Sequence, residues 1–478
     1  MNNTKTAKRA LLSSVMAMLI CITMLIGTTF AWFTDSASTA VNKIQAGTLE
    51  VQLLDEQGNS LEGQTLTWKK AAGAPADEQV LWEPGCTYNL QSFKIKNNGN
   101  LALKYKIVIS GIVGDAKLLE AIDFTVSGVG GATTAADLNG FEGKLAANST
   151  TDAITITGQM KESAGNEYQN QSIDGIGITV VATQDTVEYD SNGNTYDVRA
   201  EYPVLASSVS DFRDALSRGN STIILASDVT VDDGIQMSVT NDTAINFNGN
   251  TLKGAVESGS ISSSDGPTNL VLSDPNNSSE YSIDGKLVQH PGGGYTQLSA
   301  ITVWKPTVTI ESGKYTHDNA VILCQLQTQD TDAVGVVING GTFDGKGAAS
   351  VIANVFGNVI VNDGEFNAHY DGDSSGECVY VSSGSSVPSI TTINGGTFNA
   401  DKRIFYVSVD TNYTQKIVVN GGTFNVAEGG SLIQVSSGNA SNYLTITGGT
   451  FNVDPTAYVN RANYNVTQSG STWTVTAK

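Results

Sequence analysis

The feature that most constrains this chain is a phrase that occurs six times between Ile310 and Phe451. The copies are Ile310-Glu311-Ser312-Gly313-Lys314-Tyr315, Ile338-Asn339-Gly340-Gly341-Thr342-Phe343, Val361-Asn362-Asp363-Gly364-Glu365-Phe366, Ile393-Asn394-Gly395-Gly396-Thr397-Phe398, Val419-Asn420-Gly421-Gly422-Thr423-Phe424 and Ile446-Thr447-Gly448-Gly449-Thr450-Phe451. Their aligned glycines stand 28, 23, 32, 26 and 27 residues apart, which is the period of a solenoid. Two residues before each opening aliphatic stand Val308, Val336, Val359, Thr391, Ile417 and Leu444. Each copy therefore reads as a strand of period two, a corner where glycine permits an unusual backbone, and an aromatic that returns inward. One such unit cannot bury its own apolar face, whereas stacked units bury a continuous core.

Alternative solenoids fail on sequence. No copy has a run of helix formers long enough for a helical repeat, the leucine ladder of a horseshoe is missing, and a propeller blade needs about 40 residues. Residues 203–478 are thus expected to form a right-handed parallel β-helix, similar to the broad pectate-lyase-like class. Phe247–Leu252 and Leu270–Asp274 read as degenerate earlier copies, giving about eight coils and a rod near 40 Å at ~4.8 Å per coil. Asn339, Asn362, Asn394 and Asn420 recur at one place in the coil and should stack as a hydrogen-bonded ladder. Solenoid ends need covers. A helix at about 208–217, with Phe212, Ala215 and Leu216 on one face, is expected to plug the N-terminal end, and Tyr464–Val475 with Trp473 the other.

Composition agrees with strands. Glycine supplies 50 of 478 residues and charged residues only 15%, so polarity comes from Asn, Ser, Thr and Gly, poor helix formers. A net charge of −21 excludes a basic nucleic-acid binder, and 40% hydrophobic residues exclude wholesale disorder.

The first 31 residues read as a secretory signal. Lys5, Lys8 and Arg9 precede an apolar run from Leu11 to Gly27, and Thr29 and Ala31 take the −3 and −1 positions before cleavage at Trp32. The alternative is an uncleaved anchor, for which 17 residues fall short of the roughly 20 needed to span. Cleavage removes three bases and no acid, leaving −24, and places the mature chain outside the cell. Cys21 leaves with the signal. The remaining Cys86, Cys324 and Cys378 are an odd number without zinc spacing and read as free thiols.

Residues 32–202 carry six to eight short strand signals, the clearest being Lys104–Ile109, and read as one antiparallel sandwich. Ala31-Trp32-Phe33-Thr34-Asp35 and Ile44-Gln45-Ala46-Gly47-Thr48-Leu49, then Glu83-Pro84-Gly85, Phe93–Lys104 with its Asn-Gly-Asn-Leu-Ala turn, Asn166–Gln169, Ser172-Ile173 and Ala182-Thr183-Gln184, follow in the order of TasA and camelysin-type surface proteins, which this region resembles over about 150 residues. The resemblance implies a jelly-roll-like sandwich, export through a SipW-type signal peptidase, and a place in cell-surface or biofilm-matrix fibres of a Gram-positive bacterium. It also implies that the freed N-terminal segment, with Trp32, Phe33, Val41 and Ile44 as anchors, completes the sheet of another subunit. The alternative is that this segment pairs within its own domain. Camelysin-like relatives have been classed as metalloproteases, but there is no His-Glu-x-x-His here, and His290, His317 and His369 all lie in the later module.

Candidate chemistry is scattered. Asp318, Asp330, Asp332, Asp344, Asp363, Asp371 and Asp373, with His317, His369, Lys314, Lys346 and Arg403, fall at no common coil position, as paired acid–base catalysis would want. No cofactor is expected, Ca²⁺ being the open alternative. Asp371, Asp373, Ser375 and Glu377 resemble half of a Ca²⁺ loop whose closing glutamate is replaced by Ser382, and Asp190–Asn194 with Glu201 lacks the turn glycine. The expectation is a secreted, non-enzymatic surface or matrix protein whose partners are its own copies or related matrix subunits. The alternatives are a polysaccharide lyase or hydrolase, or a non-catalytic glycan-binding adhesin.

Overall fold

The structure, a computed structural model, describes residues 48–478 apart from 62–63, 65, 70–79, 111–116, 169–176, 186–201, 219–220, 232–236, 259–267, 276–280, 287, 290–294, 297, 329, 347–349, 371, 373–375 and 385–386. The cleavage site at Ala31 and Trp32 and the anchors Phe33, Val41 and Ile44 lie outside the described residues. The protein is all-β, and it divides into two compact units that meet in sequence at Tyr202 and Pro203.

The first unit is antiparallel. Leu103–Ser110 is the middle strand of one sheet, between Glu142–Leu145 and Gly177–Gln184. Thr155–Met160 is the middle of a second, between Thr87–Asn89 and Ile122–Ser127, and Val51–Leu54 pairs with Lys94–Asn97. Period two turns Leu103, Tyr105, Ile107 and Ile109 inward, where they join Leu90, Phe93, Ile95, Ile154 and Ile156 in one buried cluster. Lys104 and Lys106, between them, stay half-exposed. The Asn97–Asn100 turn is closed by Asn97, whose buried amide donates to the Leu101 carbonyl and accepts from the Gly99 N–H. A short helix, Ala135–Leu138, escaped the sequence pattern because it is one turn long; Thr134 and Asp137 cap it reciprocally.

The second unit is a stack of parallel strands in three sheets. Sheet A runs from Val204–Ala206 and Ser221–Leu225 to Gln415–Val419 and Leu444–Ile446. Sheet B runs from Val229–Thr230 to Thr423–Val426 and Gly449–Phe451, and from Lys314–His317 onward each strand follows or begins at a corner glycine. Sheet C runs from Met237–Val239 to Ser431–Val435. Ile352–Val361 serves both C and A in one strand, because Gly357, at φ +123°, bends it without a loop.

The register explains the core. Tyr315, Phe343, Phe366, Phe398, Phe424 and Phe451 are fully or almost fully buried and stack with centroids 4.6–5.2 Å apart and planes within 17°. The corner glycines hold φ from +93° to +128°, and a Cβ on Gly422 would lie 3.0 Å from the Gly396 carbonyl oxygen of the coil below. That carbonyl accepts the Thr423 N–H over 2.8 Å, so the corner needs glycine for both its conformation and its closeness.

The helix Val209–Arg218 buries Phe212, Ala215 and Leu216 against the first coils. At its start the Ser208 hydroxyl oxygen accepts from the Asp211 N–H, and the Asp211 carboxylate accepts from Ser207. At the far end Thr472–Ala477 pairs antiparallel with Gly449–Phe451, setting Trp473 opposite Phe451.

Candidate functional site

A parallel in-register stack repeats each outward side chain at the strand spacing, so a recurring residue becomes a row on the surface. Two rows are amides. The Asn362 side-chain amide donates to Asn339 Oδ1 over 2.8 Å, Asn394 to Asn362 over 2.9 Å, and Asn420 to Asn394 over 2.9 Å. The Asn339 amide meets the Glu311 carboxylate, and the Thr447 hydroxyl donates to Asn420 Oδ1. A carboxylate only accepts, so Glu311 orients the first amide, and each amide then orients the next. The second row is Asn425 to Asn399 to Asn367 to Asp344, at 2.9, 2.8 and 2.8 Å.

Beside the carboxylate end of the second row lies a mixed patch. The Tyr281 hydroxyl donates to Asp344 Oδ2 over 3.2 Å, while Lys314 and Lys346 approach its ring at 4.6 and 5.3 Å from the centroid. Lys346 also pairs with Asp284 at 2.7 Å. Burial, and then the charge of Asp344, push the Tyr281 phenol above its ordinary pKa, so it stays a donor at neutral pH. Lys314, Lys346 and Asp344 are thereby brought together, with two cations balanced by two carboxylates.

The other candidates are separated. Glu377 is fully buried; its carboxylate accepts from the Ser350 hydroxyl over 2.6 Å and from Arg403 Nη2 over 2.9 Å and Nε over 3.2 Å. Arg403 also donates to Gln434 and rests 4.6 Å from the Tyr406 ring, which stacks on Tyr380. A cation drawing on Glu377 would have to displace Arg403. Asp371, Asp373 and Ser375, like Asp190–Asn194 and Glu201, lie outside the described residues. Asp330 accepts the Asp332 N–H and Asp363 the Gly364 N–H, both local turn bonds. His317 is buried with Nδ1 accepting the Asn319 N–H and 3.5 Å from Asp318; exposed His369 lies 3.6 Å from Asp401. Among the described residues no three His, Cys, Asp or Glu are placed to hold a metal ion.

Sequence reasoning missed the second amide row, although the Asn that follows Phe in four copies was its signal. It also missed the Glu377–Arg403 pair, whose 26-residue separation is one coil. The chain matches no family model, no curated protein and no solved structure.

Proposed function

We propose that this is a secreted cell-surface or biofilm-matrix structural protein, in which a TasA-like jelly-roll sandwich assembles the chain and a right-handed β-helix is displayed. The observation that carries this reading is the direction of the repeat. The recurring residues form unbroken aromatic and amide ladders along the coils, an arrangement suited to a stiff rod, and do not converge on a cleft. Right-handedness is supported by the near-universal hand of parallel crossovers. Two antiparallel sheets sharing one cluster support the sandwich. Among the described residues Gly177–Gln184 pairs on one side only, leaving an edge of the kind that strand addition uses.

The test is electron microscopy of the mature chain with and without residues 32–44. Fibres that need the segment are expected, and fibres that form equally well without it would sink strand donation. The carbohydrate-active or glycan-binding alternative draws on the Tyr281–Lys314–Lys346 patch. It predicts binding on a glycan array, or reducing ends and unsaturated products with Ca²⁺ present, lost in Lys314→Ala/Lys346→Ala.

A further inference from the structure

Within the same coils, sheets A and B face outward with different chemistry. On sheet B the outward row before the aromatics is Lys314, Thr342, Glu365, Thr397, Thr423 and Thr450, and the row after them carries Asp344 and the amides of Asn367, Asn399 and Asn425, so neither holds an aliphatic side chain. On sheet A the central outward row sets the aliphatics Val337, Ile360 and Val418 among Thr309, Thr392 and Thr445, all six being direct register partners. These side chains do not serve the core, since Val308, Ile310, Val336, Ile338, Val359 and Val361 on either side of them point inward and are fully buried. All but Thr309 remain half-exposed. We propose that the outward face of sheet A is a self-association surface on which a second copy of this chain packs face to face.

Charge and area select that occupant. Two copies of a chain with net charge −21 repel one another over most of their surface. From Leu270–Ser273 to Leu444–Ile446, however, the strands of sheet A contain one charged residue, Lys416; those of sheet B over the same coils contain Asp284, Lys314, Asp344 and Glu365. Sheet A is therefore where like copies approach with least repulsion. Its nine strands from Ser221–Leu225 to Leu444–Ile446 are three to five residues long within this sheet; at ~4.8 Å spacing and ~3.3 Å per residue they present about 600 Å² per copy. Two such faces reach the ~1,200 Å² total at which specific interfaces begin, so the face suits a weak, reversible dimer. Opposed β-branched rows interdigitate across sheets about 10 Å apart, and a two-fold places the same row on both sides.

The inference deepens the assembly reading above, and it is tested so that the two fail separately. The mature chain beginning at Trp32 is run in sedimentation velocity over a concentration series. Beside it run Val337→Lys/Ile360→Lys, the milder Val337→Thr/Ile360→Thr/Val418→Thr, and Thr397→Lys/Thr423→Lys on sheet B. A chain lacking residues 32–44 completes the set, with circular dichroism and melting curves confirming each fold. Expected are a reversible dimer for the truncated chain, the same dimer beside any fibres for the parent and the sheet B control, and at least tenfold weaker dimer formation for both folded sheet A variants. A parent that stays monomeric to about 100 µM, beyond the micromolar range of weak interfaces, overturns the proposal. So does dimer formation that survives both sheet A variants. Association abolished by the truncation and untouched by the sheet A variants also overturns it, while leaving strand donation standing.

Discussion

The aromatic ladder makes a claim about position as well as size. Phe398 is fully buried with Phe366 at 4.6 Å and Phe424 at 5.0 Å, both within 12° of parallel. Phe451 stacks on one ring of the ladder, Phe424, at 4.8 Å, and its antiparallel register partner is Trp473. An aromatic pair contributes about 0.5–1.5 kcal/mol beyond area burial. Phe398→Leu should therefore lose about 1–3 kcal/mol of stacking, and Phe451→Leu about half of that. Phe398→Ala, which adds a cavity, should cost about 3–5 kcal/mol. The assay is urea unfolding of the mature chain followed by circular dichroism. The chain has two units, which are expected to unfold in separate transitions, so amide exchange of sheet B peptides assigns the solenoid transition. A Phe451→Leu cost equal to or above that of Phe398→Leu would refute additive stacking along the ladder.

Three further outcomes follow from the same geometry. Gly422→Ala should destabilise the solenoid by about 1–2 kcal/mol from its left-handed backbone alone, and by more where the Cβ presses on the Gly396 carbonyl; Thr423→Ala in the same coil should cost far less, both read by urea unfolding. Arg403→Met leaves the Glu377 carboxylate buried without its cation and should cost about 3–5 kcal/mol, most of which Glu377→Leu/Arg403→Met should restore; a double variant no better than the single one would contradict the pairing. Hydrogen bonds from the Ser208 and Ser207 hydroxyls hold the Asp211 pKa below its ordinary value, so this residue stabilises the fold above the unfolded-state pKa and ceases to as pH falls through the folded one. Asp211→Asn should flatten the acid limb of the melting temperature against pH, and an unchanged slope would refute it.

The corner phrase alone carried much of the solenoid, because a parallel in-register stack makes one residue's environment recur every coil. Gly341, Gly364 and Gly396 at positive φ, the inward Phe343, Phe366 and Phe398, and the amide row from Asn339 to Asn420 all descend from that repetition. The helix over Val209–Arg218 was readable from Ser208 and the spacing of Phe212, Ala215 and Leu216. Less regular pieces were not. The one-turn helix Ala135–Leu138 is too short to show a period, and the Asp acids distributed over turns gave no hint of which would meet Tyr281.

The sequence by itself determined that the chain is all-β and that its second half stacks strands coil upon coil, since alternation and a recurring glycine corner are local properties of the chain. Tertiary structure alone decided which outward residues meet. Coil lengths vary from 23 to 32 residues, so the neighbour of a given side chain depends on how each loop is absorbed before the register resumes. That is why Glu377 finds Arg403, Tyr281 finds Lys314, Lys346 and Asp344, and Val337 comes to lie beside Ile360 in an outward row of sheet A.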